Sequence, residues 1–153
     1  MRIISGKHKA RKIIAPKNLP VRPTTDRAKE SIFNILENRY DFSENKILDL
    51  FSGTGNLSYE FSSRNALHIT AVDINKNCIK FIEKINDELN FNIRTMLSDS
   101  FKFVSQTDEN FDIIFIDPPY SYSNYHKIKD IIIDRKVINN GGCIIIEHDK
   151  RIN

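Results

Sequence analysis

The stretch Phe111-Asp-Ile-Ile-Phe-Ile-Asp-Pro-Pro-Tyr120 runs an apolar segment into an acid, two prolines and an aromatic ring. Asp117 offers carboxylate acceptors. The carbonyl of Pro118 offers another, on a residue whose ring fixes φ. Two acceptors converging on an –NH2 group take both of its protons and localise a lone pair that would otherwise conjugate into an aromatic base. Tyr120 supplies a flat face on which a base can stack, worth roughly 1–3 kcal/mol. These groups suit an exocyclic amine about to act as a nucleophile. The plainer alternative is an acidic strand end followed by an ordinary Pro-Pro turn.

Further acids recur upstream at comparable places. Lys46-Ile-Leu-Asp-Leu-Phe-Ser-Gly-Thr-Gly55 reads as strand, glycine-rich turn and helix start, with Gly53 and Gly55 permitting close backbone approach to a ligand. His68–Asp73 reads as a strand ending in an acid, 18 residues beyond Gly55, where a carboxylate can accept from both hydroxyls of a ribose. Asp99 follows a third strand, where it can accept from an adenine amine, cap the short helix after it, or do both. Two nucleoside cofactors compete for such a pocket. A dinucleotide fingerprint needs a third glycine, and position 58 is Ser. Asp49 would also repel a pyrophosphate, whereas it suits the cationic, amino-acid-like end of S-adenosylmethionine. The methyl donor is favoured over NAD.

Positioning these acids requires a repeated strand–helix pattern. Strands are expected near 47–51, 68–73, 93–97, 112–117 and 143–147. Helices are expected from about Asn56, over Asn75–Asn90, over 101–105 and over Lys127–Ile138, with Gly141-Gly142 turning the chain into the last strand. Alternation of this kind implies an α/β Rossmann-like sheet, mostly parallel, with helices on both faces. Before it, Arg2–Ile4 and Lys12–Ala15 read as a hairpin around Gly6. A helix opens after Arg22-Pro-Thr-Thr-Asp-Arg27, capped by Thr24 or Thr25, with Ala28, Ile32, Ile35 and Leu36 as its inward face.

Charge separates two parts of the 153-residue chain. Residues 1–29 hold nine Lys/Arg against one acid, a net +8, and the remainder holds fourteen against nineteen, a net −5. A basic arm on a mildly acidic body is an electrostatic footprint for phosphate, although small proteins also carry solvated basic ends. We divide the chain into an arm over 1–22 and a catalytic domain over 23–153. No apolar run approaches the roughly 18 residues that span a bilayer, and no hydrophobic signal core follows the N-terminus. Cys78 and Cys143 form no C-x-x-C pair and join no metal-ligand cluster, so they read as reduced thiols of a cytoplasmic, metal-free protein.

Asp49-Leu-Phe-Ser-Gly-Thr-Gly55, Asp73, Asp99 and Asp117-Pro-Pro-Tyr120 together resemble the class I S-adenosylmethionine-dependent amino-methyltransferases. Arg2-Ile-Ile-Ser-Gly6, Arg22-Pro-Thr-Thr-Asp-Arg27, Glu30 and Phe33-Asn34 narrow the resemblance to the RsmD family, bacterial 16S ribosomal RNA guanine-N2 methyltransferases. The resemblance implies that Asp49, Gly53 and Gly55 hold the methionine portion of the donor, Asp73 the ribose and Asp99 the adenine, with Phe51, Thr54, Ile74 and Ser100 also in the donor site. Asp117 and the Pro118 carbonyl would orient the guanine amine, with Pro119 stiffening the turn and Tyr120 stacking. Arg2, Lys7, Lys9, Arg11, Lys12, Arg22 and Arg27 would contact RNA of the small ribosomal subunit, the enzyme acting as a monomer. Class I enzymes usually add two further strands beside the fifth, and the chain stops short of them, so Cys143–Ile146 is expected to be an exposed apolar edge. The rival readings are an amino-methyltransferase acting on another amine, such as DNA adenine N6 or a protein glutamine amide, or a catalytically idle RNA-binding or ribosome-assembly module.

Overall fold

The computed structural model describes residues 1–19 and 24–147. Five strands, β1 (Lys46–Leu50), β2 (His68–Asp73), β3 (Ile93–Leu97), β4 (Phe111–Ile116) and β5 (Ile138–Ile146), alternate with helices. The helices are α1 (Asp26–Arg39), α2 (Asn56–Ser63), α3 (Lys76–Leu89), α4 (Ser100–Gln106) and α5 (Tyr125–Asp134). All pairings among these strands are parallel, in the order β3-β2-β1-β4-β5. The order reverses between β1 and β4. At such a switch point the crevice outside the strand ends is open to a ligand.

Register then decides which side chains reach that crevice. Leu50 pairs with Val72 on one side and with Ile116 on the other. The residues that follow, Phe51, Asp73 and Asp117, therefore leave the sheet at one level, with Asp49 just inside it. The inner strands β1, β2 and β4 are buried on both faces, which explains the apolar run Ile113–Ile116 of β4. Ile113 and Phe115 pack with Phe33, Phe42, Phe61 and Ile82 on one face, and Ile114 and Ile116 with Val104, Ile128 and Ile132 on the other. The aromatic group on the first face is tight, with the Phe33 and Phe61 centroids 4.6 Å apart.

Local signals set most of the helix ends. Thr25 accepts from the Ala28 N–H and caps α1. Asn75 accepts from Asn77 and Cys78 to open α3, and Asn90 closes it in the left-handed region. The last crossover departs from expectation. α5 ends at Asp134 rather than Ile138, because Lys136 adopts φ +56° and the Val137 N–H returns to the Ile132 carbonyl. No glycine or proline marks that stop. Gly141 and Gly142 lie inside β5, at a register shift opposite Phe111–Ile113, rather than before it. A Cβ on Gly142 would stand 2.6 Å from the Asp112 carbonyl oxygen, so the close approach of β4 requires glycine there. Cys143–Ile146 are half-buried, with Cys143 and Ile145 against one core and Ile144 and Ile146 against the other.

Two further differences concern the N-terminal region. The expected hairpin is reduced to one antiparallel bridge, Arg2 with Lys12, with Ile3 and Ile13 buried in the main core beneath it. On α1 the buried residues are Lys29, Phe33 and Leu36, while Ala28 is exposed and Ile35 is 62% exposed. Ile32 and Leu36 do pack inward, but apolar spacing misplaced the rest of this face because one of its inward positions is a lysine whose charge is met inside the protein.

Candidate active site

The glycine loop after β1 is a rigid turn around a buried carboxylate. Asp49 is wholly excluded from solvent, and the Ser58 hydroxyl donates to its Oδ2 at 2.7 Å. Burial pushes the Asp49 pKa up to about 7, with the negative charges of Asp117 and Asp73 acting in the same direction and Ser58 against them. Gly55 adopts φ +92°, and a Cβ there would meet the Tyr59 ring at 2.6 Å. Phe51 also sits in the left-handed region, at φ +56°, and its N–H donates to Ser100 Oγ at 3.2 Å. A non-glycine residue held this way is costly and is a common mark of functional loops.

Among the described residues, four buried side-chain polar atoms have no hydrogen-bond partner: Asp49 Oδ1, Ser52 Oγ, Thr54 Oγ1 and Tyr59 OH. All fall between residues 49 and 59. An unmet buried polar atom is expensive, so a cluster of four implies a polar ligand group or water at this loop.

Asp73 and Asp99 are fixed by backbone donors. Asp73 Oδ2 accepts from the Gly53 N–H and its Oδ1 from the Asn75 N–H, both at 2.8 Å. Each oxygen retains a lone pair for a hydroxyl donor. Asp99 Oδ1 caps α4 by accepting from Lys102 at 2.9 Å, which leaves the second oxygen for a ligand. Capping and ligand binding are therefore compatible at this residue.

A cleft of about 630 Å³ brings these groups together. Asp49, Phe51, Gly53, Thr54, Asp73, Ile74, Asp99, Ser100 and the turn Asp117–Tyr120 all line it. Gly55 does not line it and serves the turn instead. Asp117 is half-buried, Pro118 is buried, and Tyr120 is 59% exposed at the rim. The Tyr122 N–H closes the turn onto the Pro119 carbonyl at 2.8 Å, and the Tyr122 ring lies 5.0 Å from that of Phe51. The two loops that border the cleft thus brace each other. Leu19 and Thr24 also line it, as does Cys78, whose thiol burial pushes up to about 11 and keeps protonated.

The basic arm is solvent-facing but firmly seated. Arg2, Lys7, Lys9, Arg11, Lys12 and Arg27 are exposed, and Arg22 lies outside the described residues. Arg2 Nε is 3.2 Å from Asp26 Oδ2. Beneath the arm, Glu60 accepts from the Ile4 and Ser5 N–H groups at 2.8 and 3.1 Å. The same carboxylate meets Arg64 Nε at 2.8 Å and Lys29 Nζ at 3.4 Å. Lys29 in turn donates to the Arg2 carbonyl and to Asn56 Oδ1. Sequence reasoning missed this buried cluster. The available signal was Glu60 in α2 with Arg64, the C-cap of that helix, at i,i+4. It also missed Leu19, Thr24 and Tyr122, which nothing but their neighbours in space distinguishes.

A parallel sheet in this order, with a glycine loop after β1 and acids at the ends of neighbouring strands, defines a class I methyltransferase. The model of the family described as Conserved hypothetical protein 95 matches residues 1–153. Ribosomal RNA small subunit methyltransferase D of Buchnera aphidicola subsp. Baizongia pistaciae is 34% identical, over all of this chain and 78% of its own length. The protein of the same name from Buchnera aphidicola subsp. Acyrthosiphon pisum is 36% identical over 97% of this chain and 78% of its own. The solved structure of the Escherichia coli protein yhhF superposes with a TM-score of 0.87 at 29% identity, covering 97% of this chain and 81% of that one. The chain belongs to this family, the RsmD family to which its motifs point.

Proposed function

We propose that this protein transfers a methyl group from S-adenosylmethionine to the exocyclic N2 amine of a guanine in 16S ribosomal RNA of the small subunit. The observation that carries the reading is the cleft itself. The Asp117-Pro-Pro-Tyr120 turn lines the same cleft as Asp49, Asp73 and Asp99. The names of the relatives support ribosomal RNA as the substrate class. The guanine amine follows from the motif resemblance.

The residues present fit the donor. Asp49 Oδ1, buried and unpartnered, suits an ammonium group, and the unmet hydroxyls of Ser52 and Thr54, which also line the cleft, suit the polar atoms around it. Asp73, already anchored by two N–H groups, suits ribose hydroxyls, and Ile74, 71% exposed beside it, offers an apolar contact. Asp99 suits the adenine amine. Bound there, the donor supplies an electrophilic methyl group on a sulfonium. The chain's own task is then positioning rather than strong base catalysis. Asp117 and the Pro118 carbonyl accept the two amine hydrogens and hold the lone pair out of conjugation. Tyr120 stacks on the base, which must leave its own stack to enter. The exposed cations of the arm supply charge for the RNA backbone, contacts that orient the RNA without reading its sequence.

The test is transfer of tritium from labelled S-adenosylmethionine to undermethylated small ribosomal subunits, followed by nucleoside analysis. Label in N2-methylguanosine is expected. Label in another nucleoside, or in DNA, would replace the target with a different amine. Intact donor binding with no transfer to any of these would favour the idle RNA-binding module.

A further inference from the structure

Position 58, where a dinucleotide fingerprint would carry glycine, is a serine with a defined partner. Ser58 is fully buried at the start of α2, and its hydroxyl donates to Asp49 Oδ2 at 2.7 Å. We propose that Ser58 is a positioning residue for the amino-acid end of the donor: it holds one oxygen of Asp49 so that the other is presented, ionised, to an ammonium group. The inference rests on the donor site described above and goes beyond it by assigning a role to a residue outside the cleft wall.

The geometry is asymmetric. Oδ2 is taken by Ser58, while Oδ1 of the same carboxylate has no partner although it too is buried. A hydrogen bond to an ionised acceptor is about twice as strong as a neutral one. The terminal torsion of an aspartate is otherwise broad, so the bond from Ser58 also fixes the plane of the carboxylate and with it the direction in which the unpartnered oxygen points. The surroundings make this selection necessary. Asp73 at the end of β2 and Asp117 just after β4 repel negative charge on Asp49, and Tyr59 on α2 brings an unpartnered hydroxyl, while the protonated Cys78 thiol on α3 faces Asp73. No cation pairs with Asp49 among the described residues. Burial and the two neighbouring acids therefore favour a protonated Asp49, which would lose its attraction for an ammonium ion. Ser58 is the group that opposes them, through its hydroxyl and its backbone N–H together.

Calorimetry with two ligands tests this. S-adenosylhomocysteine carries the ammonium group, and 5′-methylthioadenosine shares the nucleoside but lacks the amino-acid end. Ser58→Ala should weaken S-adenosylhomocysteine by roughly tenfold and leave 5′-methylthioadenosine unchanged. The pH below which S-adenosylhomocysteine binding fades should also move upward, because the ionised carboxylate no longer has that donor. Ser58→Thr, which keeps the hydroxyl, should restore both. Should Ser58→Ala fail to fold, Ser58→Cys, close in shape but a weak donor, must give the same selective loss. Equal weakening of both ligands, or none with an unmoved pH profile, would overturn the inference while leaving the donor site intact. A wild-type protein that binds neither ligand would remove the donor site and this inference with it.

Discussion

Lys29 Nζ and Glu60 Oε1 lie 3.4 Å apart, with their side chains 1% and 0% exposed. Burial lowers the Lys29 pKa, and Glu60 opposes that fall. The carboxylate also serves Arg64 and two backbone N–H groups of the arm, so it joins the N-terminal segment to α1 and α2. A buried pair of this kind is modest in net stability, but removing one partner strands the other charges. Glu60→Gln keeps the shape and removes the charge. It should cost about 3–5 kcal/mol in urea unfolding and open residues 1–15 to proteolysis. Wild-type stability in this variant would show that Glu60 is not the anchor.

Asp49 ties stability to pH. Its pKa is near 7 in the folded protein and in the ordinary carboxylate range in the unfolded chain. Between those values the folded state binds the extra proton, so this group's contribution to stability falls as pH rises from about 4 to about 7. Asp49→Asn removes the buried anion. The ligand-free variant should be more stable than wild type at pH 8 by roughly 1–3 kcal/mol, below the ceiling of about 4 that this difference in pKa sets. It should also lose donor affinity. Thermal unfolding at pH 5 and pH 8 checks the first effect, and a wild type without this trend would contradict the origin given for it.

Gly55 and Tyr59 are a coupled pair. Gly55→Ala places a Cβ at 2.6 Å from the ring while keeping φ at +92°. A loss of about 2 kcal/mol or more is expected, combining overpacking with backbone strain. In the double variant with Tyr59→Leu the steric part should be recovered and the strain should remain. Strict additivity of the two substitutions in denaturant unfolding would deny that the side chains meet.

Asp117→Ala removes one of the two acceptors for the amine without touching the donor wall. Methyl transfer should fall by at least about a hundredfold, the scale for removing a preorganised transition-state interaction. S-adenosylhomocysteine affinity should stay within about threefold of wild type, since interactions made in the transition state do not contribute to donor binding. A retained rate would remove Asp117 from the mechanism.

Lys7, Lys9, Arg11 and Lys12 are exposed and do not line the donor cleft. Replacing all four with Ala should weaken binding to small-subunit RNA and make its salt dependence shallower, the slope falling by roughly one for each phosphate that is no longer neutralised. Donor affinity should not change. An unaltered salt slope would place the RNA elsewhere on the protein.

The sheet and its chemistry were legible in the chain because they rest on short-range signals. Apolar runs with acids at or near their ends, Asp49, Asp73 and Asp117, mark strands that stop at the carboxyl edge, and Asn75 and Thr25 mark helix starts by their capping chemistry. α/β alternation then leaves little freedom in topology, so the acids had to share one edge. What remained hidden depends on groups distant in sequence meeting in space. Lys29 looks like a surface residue of α1 until Glu60, Asn56 and the Arg2 carbonyl surround it. Apolar spacing therefore found Ile32 and Leu36 on the inward face of that helix but put Ala28 and Ile35 there in place of Lys29 and Phe33. Lys136 closes α5 in a conformation that its residue type disfavours, because tertiary packing of Val137 and Ile132 outweighs local preference. Ser58 first reads as a missing glycine. Its meaning appears once the helix start folds back over β1 and its hydroxyl reaches Asp49, an approach set by packing and invisible to any rule of spacing.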